Sequence, residues 1–325
     1  MIIPKAGRIL IPKIGDKIER KLKELNLRPE TSPRKFLKIY KTGKHRYFSP
    51  CLTKEKEKFA FYARLHNNLD AKRKFIREIN FLRKLKKINL KIKRITPEII
   101  NYRIEEDFEW FFREYPEGPP LGYRRNLTQK PFPGMVRKII RAIFDVSKIH
   151  PKIFPGLKRF SFQNYLALGV YEDFAKKKIV PKNLSEKILR FIKENLSLLE
   201  KENKYFCHGD LNLGNILSDG KEIWIIDWEL IHLNNFVYDI GYLWAHLWEA
   251  KRYFRQKLIK AYINRLSSHK FQKFKKILPI VVSYLSLGGI EQKKEREKIK
   301  ILKKRRRFYL NLLKNCLNFE KLIKT

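Results

Sequence analysis

The stretch that decides how this chain reads is His208-Gly209-Asp210-Leu211-Asn212-Leu213-Gly214-Asn215, followed by the strand-like Ile223-Trp224-Ile225-Ile226-Asp227-Trp228-Glu229. Transfer of a phosphoryl group needs a carboxylate to accept the proton of an attacking hydroxyl. It also needs oxygen ligands to hold Mg²⁺ on the nucleotide phosphates. Asp210 stands where the first is required, and Asn215 and Asp227 where the ligands are. Gly209 lets the backbone turn sharply and present the next carboxylate. Leu211 offers an anchor below the loop, and Gly214 frees the backbone ahead of Asn215. Ser218-Asp219-Gly220-Lys221 carries the Asp-Gly signal of a tight hairpin. A short hairpin is therefore expected to bring Asp227 next to Asn215. An isolated Asp and Asn at this spacing would read as solvated groups on a surface hairpin. The preceding His-Gly, the hairpin signal and the Ile-Ile-Asp ending together outweigh that reading.

Read as H-x-D-L-x-x-x-N, the first block has the spacing of a protein-kinase catalytic loop. The two blocks together resemble the signature of the aminoglycoside phosphotransferase and choline kinase family, a branch of the protein-kinase-like fold. Glycine after the histidine, and Asp-Trp-Glu in place of Asp-Phe-Gly, separate the chain from typical protein kinases, and no Ala-Pro-Glu segment follows Asp227. The resemblance reaches Asn235-Phe236-Val237-Tyr238-Asp239-Ile240-Gly241-Tyr242, where the family aspartate starts a helix and braces the catalytic loop. For Asp239 an exposed helix-start carboxylate is the competing reading.

What the resemblance implies is an α+β, bilobal protein-kinase-like fold. A small antiparallel-sheet N-lobe over residues 1–115 would cover the nucleotide, and a mainly helical C-lobe over 116–325 would carry the catalytic loop and metal-binding hairpin. It implies ATP and Mg²⁺ as cofactors, Asp210 as base, Asn215 and Asp227 as metal ligands, and a hydroxyl group of a small molecule as acceptor. Glu229 is a further candidate for a metal or substrate contact.

Within the first segment, Ile18, Leu22 and Leu25 share one face of an expected helix over 15–25, and 28–33 reads as a turn. Residues 36–41, 45–52 and 59–65 read as strands of a meander, with a turn at Thr42-Gly43-Lys44. One glycine there does not make a G-x-G-x-x-G phosphate loop. Phe75, Ile79, Leu82 and Leu85 form the stripe of a helix over 71–87 that contains Glu78. In the family an acid at this place pairs with a strand lysine that holds the nucleotide phosphates. The matching position here is Arg64, with Lys58 as the alternative if the register differs. Arginine keeps the charge but grips phosphate with a different geometry.

Residues 99–104 and 108–115 read as the last two strands of the lobe, joined by Glu105-Glu106-Asp107. Pro116-Glu117-Gly118-Pro119-Pro120-Leu121-Gly122 is a breaker cluster and the expected hinge. By the resemblance, Glu114 and Tyr115 would meet the adenine ring through their main chain. Beyond it, helices are expected over 136–149, 184–199, 237–251, 256–266 and 291–322. Trp244, Trp248 and Tyr253 lie at near-helical spacing, which reads as core or as a stacking surface for a sugar or base. His246 reads as an ordinary helix residue, and His208 as a brace for the loop backbone.

The 325 residues are 43% hydrophobic, enough for one large domain or two joined lobes. Cys51, Cys207 and Cys316 are far apart and odd in number, which points away from a disulfide framework or a zinc site. The start has no apolar signal core and the apolar run 277–290 is too short to span a bilayer, so a cytoplasmic location is expected. The net charge of +41 leaves two readings open. Lysines spread along the chain suit a compositional bias, whereas the cluster from Lys293 through Lys303 to Arg307 is a candidate surface for nucleic acid or an anionic membrane. A strongly basic region after Glu249 disfavours a polycationic acceptor and suits a neutral or anionic one. Two other functions remain in view: a kinase-like binding protein impaired in turnover, and a basic RNA- or membrane-surface-associated protein.

Overall fold

The computed structural model describes residues 10–39, 46–65, 69–88, 91–105, 108–291 and 299–325. The expected turn at Thr42-Gly43-Lys44, the turn residues Glu106 and Asp107, and Lys293 and Lys294 lie outside them. The chain forms two compact units. One comprises residues 1–117 with Asp227–Leu230, the other Gly118–Ile226 with Ile231–Thr325.

The first unit is built on a five-stranded antiparallel sheet in the order β1-β2-β3-β5-β4. Its elements run α1 (Leu10–Glu24), β1 (Arg28–Pro29), α2 (Pro33–Ile39), β2 (Arg46–Leu52), β3 (Lys58–Arg64), α3 (Leu69–Lys86), β4 (Ile99–Ile104) and β5 (Glu109–Glu114). Alternation along β3 decides what covers each face. Phe61 and Ala63 join Ile18, Leu22 and Phe36 in one core. Tyr62 stacks instead on Phe111, centroids 4.7 Å apart, and Phe75 of α3 packs on that ring at 5.3 Å. Burial of each such side chain contributes about 1.5–3 kcal/mol. Glu78 and Ile79 of α3 are both buried.

One expected strand is a helix. Residues 36–41 read as extended, but Pro33–Ile39 forms α2. Ser32 Oγ accepts the Lys35 N–H at 3.2 Å and Ser32 O accepts that of Phe36 at 2.9 Å. Pro33 is thus at the first helical position, where its fixed φ is already helical and its missing N–H costs nothing. This Ser-Pro start overrides the apolar run, and Phe36 is buried edge-on to Tyr47 at 5.1 Å.

The second unit holds the short pair β6 (Gly122–Tyr123) and β7 (Asn126–Leu127), then α4 (Met135–Ser147), α5 (Phe162–Ala167), α6 (Val170–Lys176), α7 (Lys182–Glu194) and α8 (Leu196–Glu202). Next come β8 (Tyr205–Cys207), β9 (Ile216–Ser218), β10 (Ile223–Ile225) and β11 (His232–Asn234). The helices α9 (Tyr238–His246), α10 (Arg252–Ile263), α11 (Ser268–Glu291), α12 (Ile299–Asn315) and α13 (Phe319–Lys324) complete it. The helix expected over 184–199 is broken at Asn195, and the one over 237–251 stops at His246. The end of the long C-terminal helix is interrupted where Asn318 Oδ1 caps α13 by accepting the Lys321 N–H at 2.9 Å. Every residue of α9 is buried, so Trp244 and His246 are core. Trp248 is buried as well, whereas Tyr253 is exposed. Arg305 is turned inward with Tyr309, so the run 303–307 does not present one continuous basic face. Among the described residues no helix is long and apolar enough to cross a membrane. All three cysteines are buried and free.

Candidate active site

The loop after β8 is held from three sides. Gly209 takes φ +88°, a left-handed conformation that a glycine adopts without strain. Asp239, 4% exposed, accepts the N–H of His208 through Oδ2 at 2.9 Å and that of Gly209 through Oδ1 at 3.2 Å. It is therefore a buried brace, not a solvated helix start. Burial pushes its carboxyl up to about 6, against the two backbone donors that favour the charge. His208 Nδ1 accepts the Asp210 N–H at 3.3 Å, and Nε2 lies 3.0 Å from Ile226 O. Leu211 is fully buried beneath the loop.

Asn212 Oδ1 accepts the Gly214 N–H at 2.8 Å, closing a single turn that delivers Asn215. Asn215 Nδ2 donates to Asp210 O at 2.9 Å and to Asp210 Oδ2 at 3.3 Å. With its nitrogen committed to Asp210, the amide oxygen is the atom Asn215 can offer a cation. β9 and β10 form the expected hairpin. Asp219 Oδ1 accepts from Lys221 N and Glu222 N at the turn, and Ile226 N donates to Asn215 O at 3.0 Å. Asp227 is the next residue.

Two residues that the sequence did not single out complete this loop. The Tyr242 hydroxyl donates to Asp210 Oδ1, and Arg124 in turn donates to that hydroxyl. Arg124 Nη2 is 3.6 Å from the same carboxylate oxygen. Arg124 follows β6 and Tyr242 lies on α9, so only the tertiary fold joins them to Asp210. Buried His246 also feels Arg124. Burial chiefly, and that charge secondarily, hold its pKa well below the usual value, so the ring is neutral.

In the first unit Asp227 takes φ +71°, an uncommon conformation for a residue with a side chain, though aspartate tolerates it better than most. Its Oδ1 accepts from Arg46 Nη2 at 2.5 Å. Arg46 Nη1 donates to Glu78 Oε2 at 2.7 Å and lies 3.7 Å from Glu229 Oε2. Glu78 also accepts the Trp228 N–H at 3.3 Å, and the Trp228 ring stacks on Phe81. Burial raises the Glu78 carboxyl, with Arg46 opposing and Asp227 and Glu229 adding to the rise. Burial works against the Arg46 charge, but the three acids outweigh it and hold its pKa well above the usual value. Oxygens of Glu78, Asp227 and Glu229 lie within 4.8 Å of one another. Three carboxylates against one guanidinium form an all-oxygen donor set with excess negative charge, which fits a hard divalent cation.

The expected pairing of Glu78 with Arg64 is corrected here, because Glu78 holds Arg46. Arg64 is 2% exposed and binds Glu109, itself fully buried, and Lys72 Nζ is 3.4 Å from that acid's other oxygen. A guanidinium so enclosed is not presented to a phosphate. Lys58, the alternative, binds Glu30 at 2.9 Å and stands over the Tyr115 ring at 4.4 Å. Glu114 donates its N–H to Glu98 O at the end of β5. The structure thus joins Asp210 with Asn215 in one unit and Glu78 with Asp227 in the other. Arg64 is bound to Glu109 instead, and Glu114 closes the end of β5 on Glu98.

A braced carboxylate loop on helices and a five-stranded sheet unit with a buried helix acid define the protein-kinase-like class of fold. Comparison with solved structures agrees. The chain is similar to an aminoglycoside phosphotransferase APH(4)-Ia mutant (TM-score 0.55, 11% identity, 85% of this chain and 93% of that one). It is also similar to wild-type aminoglycoside 2'-phosphotransferase-IIIa bound to GDP (0.53, 13%, 86% and 91%). A third is a choline/ethanolamine kinase family protein from Mesorhizobium loti (0.52, 15%, 87% and 89%). At these identities the likeness is one of fold. No curated protein sequence matches the chain. The model of the phosphotransferase enzyme family matches residues 51–271, more than half of the chain, and the chain belongs to that family. It is a phosphotransferase.

Proposed function

We propose that this phosphotransferase is an ATP- and Mg²⁺-dependent kinase acting on a hydroxyl group of a small molecule, and that the acceptor is neutral or anionic. The observation that carries the reading is the Asp210–Asn215 hydrogen bond on a loop held by His208 and Asp239. Asp210 orients the acceptor hydroxyl and takes its proton. Asn215 and Asp227 are the residues to hold Mg²⁺. When bound, the ion neutralises charge on the phosphates and aligns them for transfer. Tyr115 is the residue to meet the base through main chain, and Glu114, whose N–H is held by Glu98 O, has only its carbonyl to add. On this reading residues 1–115 cover the nucleotide and 116–325 carry the acceptor.

The acceptor class rests on Arg124. A guanidinium 3.6 Å from the base repels a polycation and attracts an anionic or hydrogen-bonding neutral group. A cavity of about 960 Å³ begins two residues later in the chain and is lined by Arg137, Lys251 and Lys257 and by Glu249, whose carboxylate is held by Arg125. Its excess of cations suits the same chemistry. Three buried free thiols suit a reducing compartment such as the cytoplasm.

The test is thermal stability with ATP and Mg²⁺ for the natural chain and Asp227→Ala. Ligand at about a hundred times its Kd adds roughly 2.7 kcal/mol. A metal-dependent rise in Tm that the variant loses supports the reading and justifies a screen of hydroxyl acceptors. No rise with either partner overturns it.

A further inference from the structure

Resting on that function, we infer that the residue gripping the nucleotide phosphates is Arg46 on β2, and that this task has moved there from the neighbouring strand position held by Arg64. Arg46 and Arg64 are directly opposed in the β2–β3 register, so one basic site faces the other across a single strand spacing. Their fates differ. Arg64 is closed into the core with Glu109. Arg46 keeps 21% of its side chain exposed and takes Glu78, the buried acid of α3, as its partner. Arg46 also lies before residue 51, outside the segment that matches the family, so that match assigns it nothing.

The geometry around Arg46 suits a phosphate contact. Glu78 is fixed by burial and by the Trp228 N–H, so the Nη1–Glu78 bond holds the guanidinium in place. Nη2 donates to Asp227, the residue proposed to hold the metal. A cation held by Asp227 would compete for the oxygen that Nη2 now holds, which would leave the Nη2 donors available to a phosphate while Nη1 stays on Glu78. A guanidinium has five N–H donors, enough to serve both partners. Among the described residues, three other basic groups of this sheet and of α3 already have partners. Lys58 is held by Glu30, Lys72 reaches Glu109, and Arg113 donates to the Tyr62 hydroxyl and to Glu114 O.

Calorimetric titration of the whole chain with ATP and with adenosine, both with Mg²⁺, tests this. Arg46→Ala and Arg46→Lys are compared with Lys58→Ala and Arg64→Lys. The expected result is a loss of about tenfold or more in ATP affinity for Arg46→Ala, as for a hydrogen bond to a charged group. Adenosine affinity should stay within about twofold, and the other two positions should keep both affinities. Arg46→Lys supplies the reading if the alanine variant does not fold, with a smaller loss for ATP alone. Equal losses of ATP and adenosine would make Arg46 a structural residue and overturn the inference, as would ATP affinity unchanged in a folded Arg46 variant. A natural chain that binds no nucleotide would instead overturn the proposed function itself.

Discussion

The Tyr242 hydroxyl donates to Asp210 Oδ1 while Asn215 donates to Oδ2, so both carboxylate oxygens are oriented before any acceptor arrives. With Asp210 as the proposed base, this sets the direction from which a hydroxyl can approach it. Tyr242→Phe removes the donor and leaves the ring, which is buried and packs beside Tyr238. Loss of one hydrogen bond to a charged group is expected to lower kcat about tenfold. The KM for ATP should change less than about twofold. Steady-state kinetics on the acceptor found by screening decide it, and an unchanged kcat would show that Tyr242 does not position the base.

Asp239 links the loop to pH. Its carboxyl is raised from an ordinary 3.8 to about 6, chiefly by burial. The folded protein thus holds this proton more tightly than the unfolded chain. The stabilisation is complete below about pH 4 and is lost as pH rises through about 6, amounting to about 3 kcal/mol. Asp239→Asn has no such slope. Denaturant unfolding of both proteins from pH 4 to 7 should show the natural chain gaining on the variant towards acid, and a difference independent of pH would refute the assignment.

The sequence made the Asp210 loop and its hairpin legible because residues a few positions apart decide them. His-Gly-Asp needs one left-handed glycine, and the Asp-Gly turn satisfies its own backbone through Asp219. The partner of Glu78 was a different matter. Arg46 and Arg64 occupy opposed positions on one hairpin, and which of them α3 reaches depends on how the sheet lies over that helix. No local pattern encodes this. Arg124 and Tyr242 were hidden for the same reason, since they meet Asp210 only through the fold. The helix α2 was legible in principle from Ser32-Pro33, and the apolar residues after it obscured the signal.

The enclosed pair of Arg64 and Glu109 makes a prediction about stability alone. Removing Arg64 leaves buried Glu109 with only the partly exposed Lys72 ammonium, so Arg64→Leu should cost about 3 kcal/mol. The double variant Arg64→Leu, Glu109→Leu removes both charges and should recover most of that loss, with Lys72 turning to solvent from its 28% exposed position. Urea unfolding of the single and double variants measures the difference. A double variant no more stable than Arg64→Leu would mean that the pair's shape, and not its charge, holds this end of β3.

Gly288 and Gly289 are adjacent on α11 and should respond oppositely to alanine. A Cβ on Gly289 would overlap the ring of Tyr309, which is buried on α12. The two helices would have to separate, at a cost of about 1–3 kcal/mol. A Cβ on Gly288 meets nothing within 4 Å. There the gain is the helix propensity of alanine over glycine, about 0.5–1 kcal/mol of added stability. Unfolding midpoints of Gly288→Ala and Gly289→Ala should therefore move in opposite directions. If both fall, α11 is not regular through residue 288; if neither falls, α12 does not seat Tyr309 against Gly289.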